Sequence, residues 1–436
     1  MVNLKKISIN NTTSLQAFQI IRYIALIGIS IFFTKFGLSR EEIGIYETVL
    51  FISGLLTSFW VSGLIQAMLP IIKTKTDEKG SGLFNAFIVI LILSFVTLFV
   101  GLAFEPVLRK LDSISLFQYY QLAILYTAIS APGNIIEYIY LLNNKFKSII
   151  NYGIVIFTIQ IASICIALIF GFGIVGAIYA LLGTAILKFL WAIYLIVKYS
   201  KICISIPFIK HFISLGFPLM GKFLLSGSAT YIDGLIITSR FNLSAFAIFR
   251  FGARDLPLVT LMSNGLSNSM LPDFAIKEKI KKTMQLLKHR TQWHMHLLFP
   301  ITMVTILLSK PLFPIVFNAD FKDSAEIFMI YLLTISSRMV FPQTVAIGLG
   351  KTKALLGISI VELFINVSLS LLFVQWMGIV GVAWATVIAF WVEKVLISFY
   401  LYIRLGIKPS EYTPIKEYLL YTILMALVFV VTLLWM

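Results

Sequence analysis

Hydrophobic residues run along this chain in long blocks, and a block of about 20 such residues crosses a bilayer core of about 30 Å as a helix. Thirteen blocks of that kind are present. The first six are Ser14 to Phe36, Ile43 to Leu69, Gly82 to Phe104, Ser115 to Leu142, Ile149 to Gly171 and Gly173 to Lys198. The next six are Phe208 to Arg240, Ser244 to Leu271, Trp293 to Ser309, Ser324 to Gly348, Ala354 to Trp376 and Gly378 to Arg404. A thirteenth, Ile415 to Met436, follows them. Transmembrane strands are about 10 residues long with alternating polarity, and these blocks are neither, so an all-helical membrane protein is predicted. The first block is too long for a secretory signal peptide and lacks a small-residue cleavage pattern. It is expected to stay as a signal anchor.

The blocks repeat. Gly63-Leu64 with Met68-Leu69-Pro70 returns 202 positions later as Gly265-Leu266 with Met270-Leu271-Pro272. Gly173-Ile174-Val175-Gly176 with Ala180 returns after 205 as Gly378-Ile379-Val380-Gly381 with Ala385, and Lys145 and Lys147 match Lys351 and Lys353 at 206. The spacing predicts two six-helix halves, residues 1–205 and 206–406, with residues 407–436 as an extra C-terminal helix. Duplicated halves in an apolar chain are a transporter signature.

Composition agrees: 59% of residues are hydrophobic and 12% charged, where soluble domains carry about 25% charged residues. The net charge of +16 would suggest nucleic acid if it were clustered on a soluble face, but its placement excludes that partner. Of the 35 Lys and Arg residues, 21 fall at the N-terminus and in the connections on its side, 7 on the opposite side and 7 inside the blocks. This bias puts the N-terminus in the cytoplasm. Both halves then start inside, as parallel repeats about an axis along the membrane normal, and the thirteenth span leaves the C-terminus outside. The longest connection, Pro272 to Gln292, carries six of the basic residues and reads as a cytoplasmic amphipathic helix near anionic lipid heads. No connection has room for a soluble catalytic domain, so no enzyme activity and no cofactor are expected.

Several motifs carry no chemistry. Gly348-Leu349-Gly350-Lys351-Thr352 ends like a phosphate loop, but the required first glycine would fall at Val345 and no strand precedes it. His294 and His296 are two apart, on different helix faces, with no Cys or carboxylate at ligand spacing, so no metal site is indicated. Cys165 lies mid-span and Cys203 on the cytoplasmic side, so no disulfide is expected.

The charges inside the spans are the informative residues, because each costs about 2.5 to 3.5 kcal/mol at the bilayer centre and needs a partner, water or a function. The bases are Arg22, Lys188, Lys222, Arg250, Arg254, Arg338 and Lys394; the acids include Glu47, Glu137, Asp233, Asp255, Glu362 and Glu393. At 1.5 Å per residue, Lys222 lies about 21 Å from the inner end of span seven and Arg254 about 15 Å from the outer end of span eight. Lys188 and Arg338 fall near the centres of their spans by the same count. Arg250, Arg254, Pro257, Leu261, Asn264 and Asn268 recur at steps of three and four, as do Lys222, Ser226, Ala229 and Asp233, and Ser359, Glu362, Asn366 and Ser370. Three stripes of this kind predict polar helix faces around one aqueous cavity. The plainer reading is that Lys222 or Arg254 pairs with Asp233, Asp255 or Glu362 and holds the bundle together. For Lys394 and Glu393 a local pair is the favoured reading, and Glu47 is read as interfacial.

Two parallel six-helix halves, cationic mid-span residues and Arg254-Asp255-Leu256-Pro257-Leu258 followed by Met270-Leu271-Pro272 resemble the MOP superfamily. That group includes multidrug MATE exporters, peptidoglycan-precursor flippases and the O-antigen or capsule oligosaccharide flippases, and the chain is most similar to the last. The resemblance covers roughly Ser14 to Arg404 and implies a V-shaped pair of bundles with alternating access. One hydrophobic span follows the core twelve, where the peptidoglycan type has two more. The implied cargo is undecaprenyl-diphosphate-linked oligosaccharide, flipped to the outer leaflet of a bacterial inner membrane. Arg22, Lys188, Lys222, Arg250, Arg254 and Arg338 would form the cationic surface for the diphosphate. Ser226, Tyr231, Asn264, Asn268 and Asn366 would meet sugar hydroxyls or act as glue between helices. Glu137, Asp233 and Glu362 are the candidates for coupling to protons or sodium. A monomer is expected, working beside polysaccharide-assembly proteins. A MATE-type cation antiporter and a peptidoglycan-precursor flippase are the alternatives.

Overall fold

The computed structural model describes residues 11–74, 80–111, 119–274 and 277–435. Of the basic residues counted above, Lys5, Lys6, Lys75 and Lys79 lie outside the described residues. Among those described, every regular element is helical. In chain order they are α1 (Asn11–Lys35), α2 (Arg40–Thr74), α3 (Gly82–Leu111), α4 (Tyr120–Ser130), α5 (Ile136–Leu142), α6 (Phe146–Ile169), α7 (Gly173–Tyr199), α8 (Ile206–Arg240) and α9 (Leu243–Gly252). These are followed by α10 (Pro257–Phe274), α11 (Ile280–Val316), α12 (Ser324–Leu332), α13 (Ile335–Arg338), α14 (Pro342–Gly348), α15 (Thr352–Leu405), α16 (Pro409–Tyr412) and α17 (Ile415–Trp435).

Nine described helices are long and apolar enough to cross a membrane, and α12 to α14 form a further span bent by 44°. Three more complete the thirteen. The 54-residue α15 is two spans joined at Gly378, whose φ of 60° and ψ of −141° no helix contains. α8 is interrupted in apolarity by Lys222 and Asp233, and span eight is divided into α9 and α10. The protein is thus a multi-pass, all-helical membrane protein. Large apolar side chains such as Phe99, Phe217, Phe364 and Leu434 point outward with more than half of their surface exposed, which lipid accounts for.

By its contacts the chain divides into two compact units, Met1–Gly227 with Asn242–Ser244, and Ser228–Phe241 with Ala245–Met436. In the first, Phe18 stacks on Tyr152 at 5.8 Å and Tyr152 meets Trp191 edge-on at 5.2 Å. Leu64, Met68, Ile135, Ile139 and Phe212 complete this core. Helix α2 starts with a capping box, Glu42 N–H donating to Ser39 Oγ while Glu42 Oε2 accepts from Ser39 N–H at 2.8 Å. Span four is broken by a 3-10 turn, Ala131–Ile135, opened by Pro132.

The second unit has its core around Leu266, Met270, Phe274, Leu287, Val345 and Leu401. The connection expected as an amphipathic helix is, from Ile280 onward, continuous with span nine in the single helix α11. Helix α17 is tied along α11: Gln292 donates to Glu417 at 2.8 Å, His296 bonds Tyr421 at 2.8 Å, and Lys310 donates to the Leu433 carbonyl at 3.1 Å.

The matched segments share backbone detail as well as sequence. Asn144 and Gly350, 206 positions apart, have φ of 56° and 72°. Around them Lys145 N–H donates to Tyr140 and Lys351 N–H to Ala346, each at 2.8 Å. Gly173 and Gly378 likewise share positive φ, 58° and 60°. Both spans preceding the first turn are broken, at Ala131–Ile135 and around Leu333 to Phe341.

Candidate functional site

In the first unit the break in span four gathers three of the expected charges. Glu137 lies in the first turn of α5 and is buried, Lys188 on α7 is half-buried, and Arg22 on α1 is exposed. Arg22 and Lys188 both lie within electrostatic reach of Glu137 and of each other. Lys188 is seated by geometry: a Cβ at Gly133 would come within 2.9 Å of its own Cβ, so only glycine lets α7 approach the 3-10 turn. Its ammonium stands 5.0 Å from the centroid of the Phe157 ring, a cation–π contact that holds the charge without neutralising it. Two bases thus share one acid.

In the second unit the eighth span unwinds between Gly252 and Pro257. Pro257 has no N–H and opens α10, and the residue before a proline avoids the helical region, so the chain leaves the helix here. The stripe from Arg250 to Asn268 is therefore not one continuous helix face, because the break falls within it. Arg254 sits on the unwound stretch with its guanidinium 4.6 Å from the Phe251 ring centroid and 6.0 Å from that of Phe317. Arg250 ends α9 half-buried, and Asn264 and Asn268 are exposed on α10.

Arg338 has a protein partner. Its Nη2 donates to Asp255 at 2.6 Å and its Nη1 to Thr260 Oγ1 at 2.9 Å. Asp255 is thus paired with Arg338, where the plainer reading sets it against Lys222 or Arg254. Lys394 and Glu393 form the local pair, at 2.6 Å, with Gln343 accepting from Lys394 at 3.1 Å.

A second polar cluster surrounds Asp233. Its Oδ2 accepts from Tyr331 at 2.8 Å and from Thr386 at 2.6 Å, and Asn366 donates to Thr386 at 3.1 Å. Asp233 Oδ1, Glu362 Oε1, Asn366 Oδ1 and Ser370 Oγ are buried without a hydrogen-bond partner among the described residues. The stripe Glu362, Asn366, Ser370 is real, but it is buried inside the unit. Asn366 is thereby placed with acids and hydroxyls. Tyr231 is half-buried on α8, and the side chains of Lys222 and Ser226 lie outside the described residues.

Tyr331, Thr386 and Thr260 were not among the candidates read from sequence. Thr386 stands alone among apolar residues from Ile379 to Val392, a signal in principle. A membrane threonine usually bonds its own helix, however, as Thr386 also does to the Val382 carbonyl at 3.2 Å.

Comparison with known proteins now defines the class. The fold is that of the MOP superfamily. An inward-closed lipid II flippase MurJ aligns over 95% of this chain and 92% of its own, with a TM-score of 0.74 and 20% identity. An inward-facing multidrug-resistance MATE transporter covers 90% of this chain and 98% of its own at 0.61 and 17%. A MOP superfamily transporter from Pyrococcus furiosus, described by the reversed polarity of its binding pocket, covers 91% and 94% at 0.60 and 16%. No curated protein matches the sequence. The profile of the polysaccharide biosynthesis protein family matches residues 38–326, and the chain belongs to that family.

Proposed function

We propose that this protein flips an undecaprenyl-diphosphate-linked oligosaccharide, the repeat unit of an O-antigen, capsule or exopolysaccharide, from the cytoplasmic to the outer leaflet. The observation that carries the reading is the first unit's cluster, where exposed Arg22 and cation–π-held Lys188 outnumber Glu137 two to one. A surplus of fixed positive charge in a low-dielectric setting favours an anion, and guanidinium groups fit phosphate oxygens in a fork. Membership of a polysaccharide biosynthesis family supplies the sugar. The polyprenyl tail stays in lipid while the diphosphate and sugars follow the polar residues by alternating access.

In this reading Arg22, Lys188, Lys222, Arg250 and Arg254 meet the diphosphate, and Tyr231, Asn264 and Asn268 meet sugar. Asp233 and Glu362, with bare buried oxygens, take a coupling proton or sodium ion, and Glu137 is the corresponding acid of the first unit. The protein sits in a bacterial inner membrane with its N-terminus in the cytoplasm, built from duplicated halves, residues 1–205 and 206–406. The likeness to a lipid II flippase favours one second reading, a peptidoglycan-precursor cargo, which shares the polyprenyl diphosphate and differs in the sugar.

Flipping of a fluorescent polyprenyl-diphosphate oligosaccharide in proteoliposomes tests this. The native chain is expected to flip it, and Arg22→Ala, Lys222→Ala and Arg254→Ala each to slow it about tenfold or more, the loss of one charge-assisted contact of about 1.5 to 3 kcal/mol. Competition by lipid II separates the two cargos. A native chain that ignores both and exports organic cations would show the protein to be a MATE-type antiporter.

A further inference from the structure

Tyr331 lies between the two polar clusters of the second unit, bonded to Asp233 and lining a small cavity with Asp255, Thr260 and Arg338. Tyr331 forms the last turn of α12, donates its hydroxyl to Asp233 at 2.8 Å, and lays its ring edge-on against Phe249 of α9 at 6.0 Å. One residue later α12 ends, and the next short helix, α13, presents Arg338 to Asp255 and Thr260. Phe249 lies just before the unwound stretch of span eight, and Asp255 and Thr260 lie on and just after it. The stretch bearing Arg254 is therefore held on both sides by span ten, and the same span grips Asp233.

We infer that Tyr331 and the Arg338–Asp255 pair are a relay that couples occupancy of Asp233 by a cation to the position of Arg254. This deepens the proposed function and rests on its assignment of Asp233 to the coupling ion and Arg254 to the diphosphate. Arg338 is thereby a positioning residue, since both its donor groups that face span eight are engaged with protein. The physical step is a competition for Asp233. Its Oδ2 is already bonded to Tyr331 and Thr386 while Oδ1 has no hydrogen-bond partner. A cation or proton arriving at this carboxylate reduces the charge that holds the Tyr331 hydroxyl, and a charge-assisted hydrogen bond is about twice as strong as a neutral one. Tyr331 is then released to turn. Because Tyr331 lines the same small cavity as Asp255, Thr260 and Arg338, a turn of its ring reaches that pair by direct packing, and with it the adjacent Arg254.

The test is equilibrium binding of farnesyl diphosphate to the full chain in nanodiscs, measured calorimetrically with and without sodium and at two pH values. For the native chain the cation changes diphosphate affinity about fivefold or more, the lower range of measured couplings. Tyr331→Phe, which keeps the ring and Asp233, brings the ratio to within about twofold of one, and Arg338→Lys reduces it to a lesser extent. Exchange of the pair, Asp255→Arg with Arg338→Asp, restores part of the ratio that Asp255→Asn loses. A role in folding alone would lower the amount of active protein and leave this ratio unchanged. If Tyr331→Phe does not fold, Phe249→Leu interrogates the relay at its other end, the ring contact between Tyr331 and span eight, and is expected to weaken the ratio likewise. A native chain that is coupled alongside a folded Tyr331→Phe chain that is equally coupled overturns the relay and leaves the proposed function standing. A native chain that binds the diphosphate with no response to sodium or pH overturns the ion-coupling assignment and the relay together, and one that does not bind it overturns the cargo.

Discussion

At the scale of single residues, the decisive question for each intramembrane charge is whether it is satisfied within its own unit. Glu393 and Lys394 are: their side chains are 12% and 16% exposed and 2.6 Å apart. A pair this dry stabilises little relative to apolar residues of the same volume, yet losing one partner leaves the other charge uncompensated. Lys394→Met is therefore expected to destabilise the protein by about 3 kcal/mol, whereas Lys394→Met with Glu393→Gln returns to within about 1 kcal/mol of native. Thermal unfolding in detergent reads the difference, and both chains that fold should flip cargo normally. This pair was legible in the sequence because adjacent residues cannot both face one lumen. The Arg338–Asp255 pair was not, since 83 positions separate them and four nearby charges offered equally reasonable partners. Asn366 misled in a different way. Its spacing placed it correctly on a stripe with Glu362 and Ser370, but periodicity shows which residues share a face and says nothing of whether that face meets water or another helix.

At the scale of elements, hydropathy found the spans, and only backbone chemistry could divide them. The apolar run from Thr352 to Leu405 has no polar gap, and the boundary between its two spans rests on Gly378 alone. With φ of 60° and ψ of −141°, this residue occupies a region that is essentially glycine-only and costs about 1 to 3 kcal/mol for any other. Gly378→Ala should lower stability by that amount. Gly357 lies inside the same helix with open space where a methyl group would stand. It provides the contrast, because Gly357→Ala should raise stability by about 0.5 to 1 kcal/mol. Paired melting curves check both signs. The duplication made Gly378 readable, through its match to Gly173. The break in span eight was signalled by Pro257 yet overridden by the three-and-four spacing on either side of it. A strong helical period can continue in register across an interruption, and the proline was the better guide.

At the scale of the whole molecule, the orientation proposed from the one-sided distribution of Lys and Arg, 21 against 7, would fix the sense of the electric field acting on cargo. A diphosphate carries about two negative charges outward, and an inside-negative potential contributes about 2.3 kcal/mol per charge per 100 mV. If the fixed bases stay in place during alternating access, the field acts on the full charge of the cargo. If a base such as Arg254 travels with the diphosphate, or a cation moves inward through Asp233, the net charge translocated differs and the dependence on potential changes with it. Flipping by the native chain in vesicles of uniform orientation should therefore accelerate when a potassium gradient with valinomycin makes the cytoplasmic side negative, and slow when the gradient is reversed. Asp233→Asn separates the two sources of voltage dependence. It removes the proposed coupling ion and leaves the cargo's charge untouched, so the slope of log rate against potential should fall if an inward cation contributes to it. An unchanged slope in Asp233→Asn would assign the voltage dependence to the diphosphate alone. No dependence on potential in the native chain would mean that fixed bases move with the cargo and cancel its charge, and that outward flipping draws on an ion gradient instead.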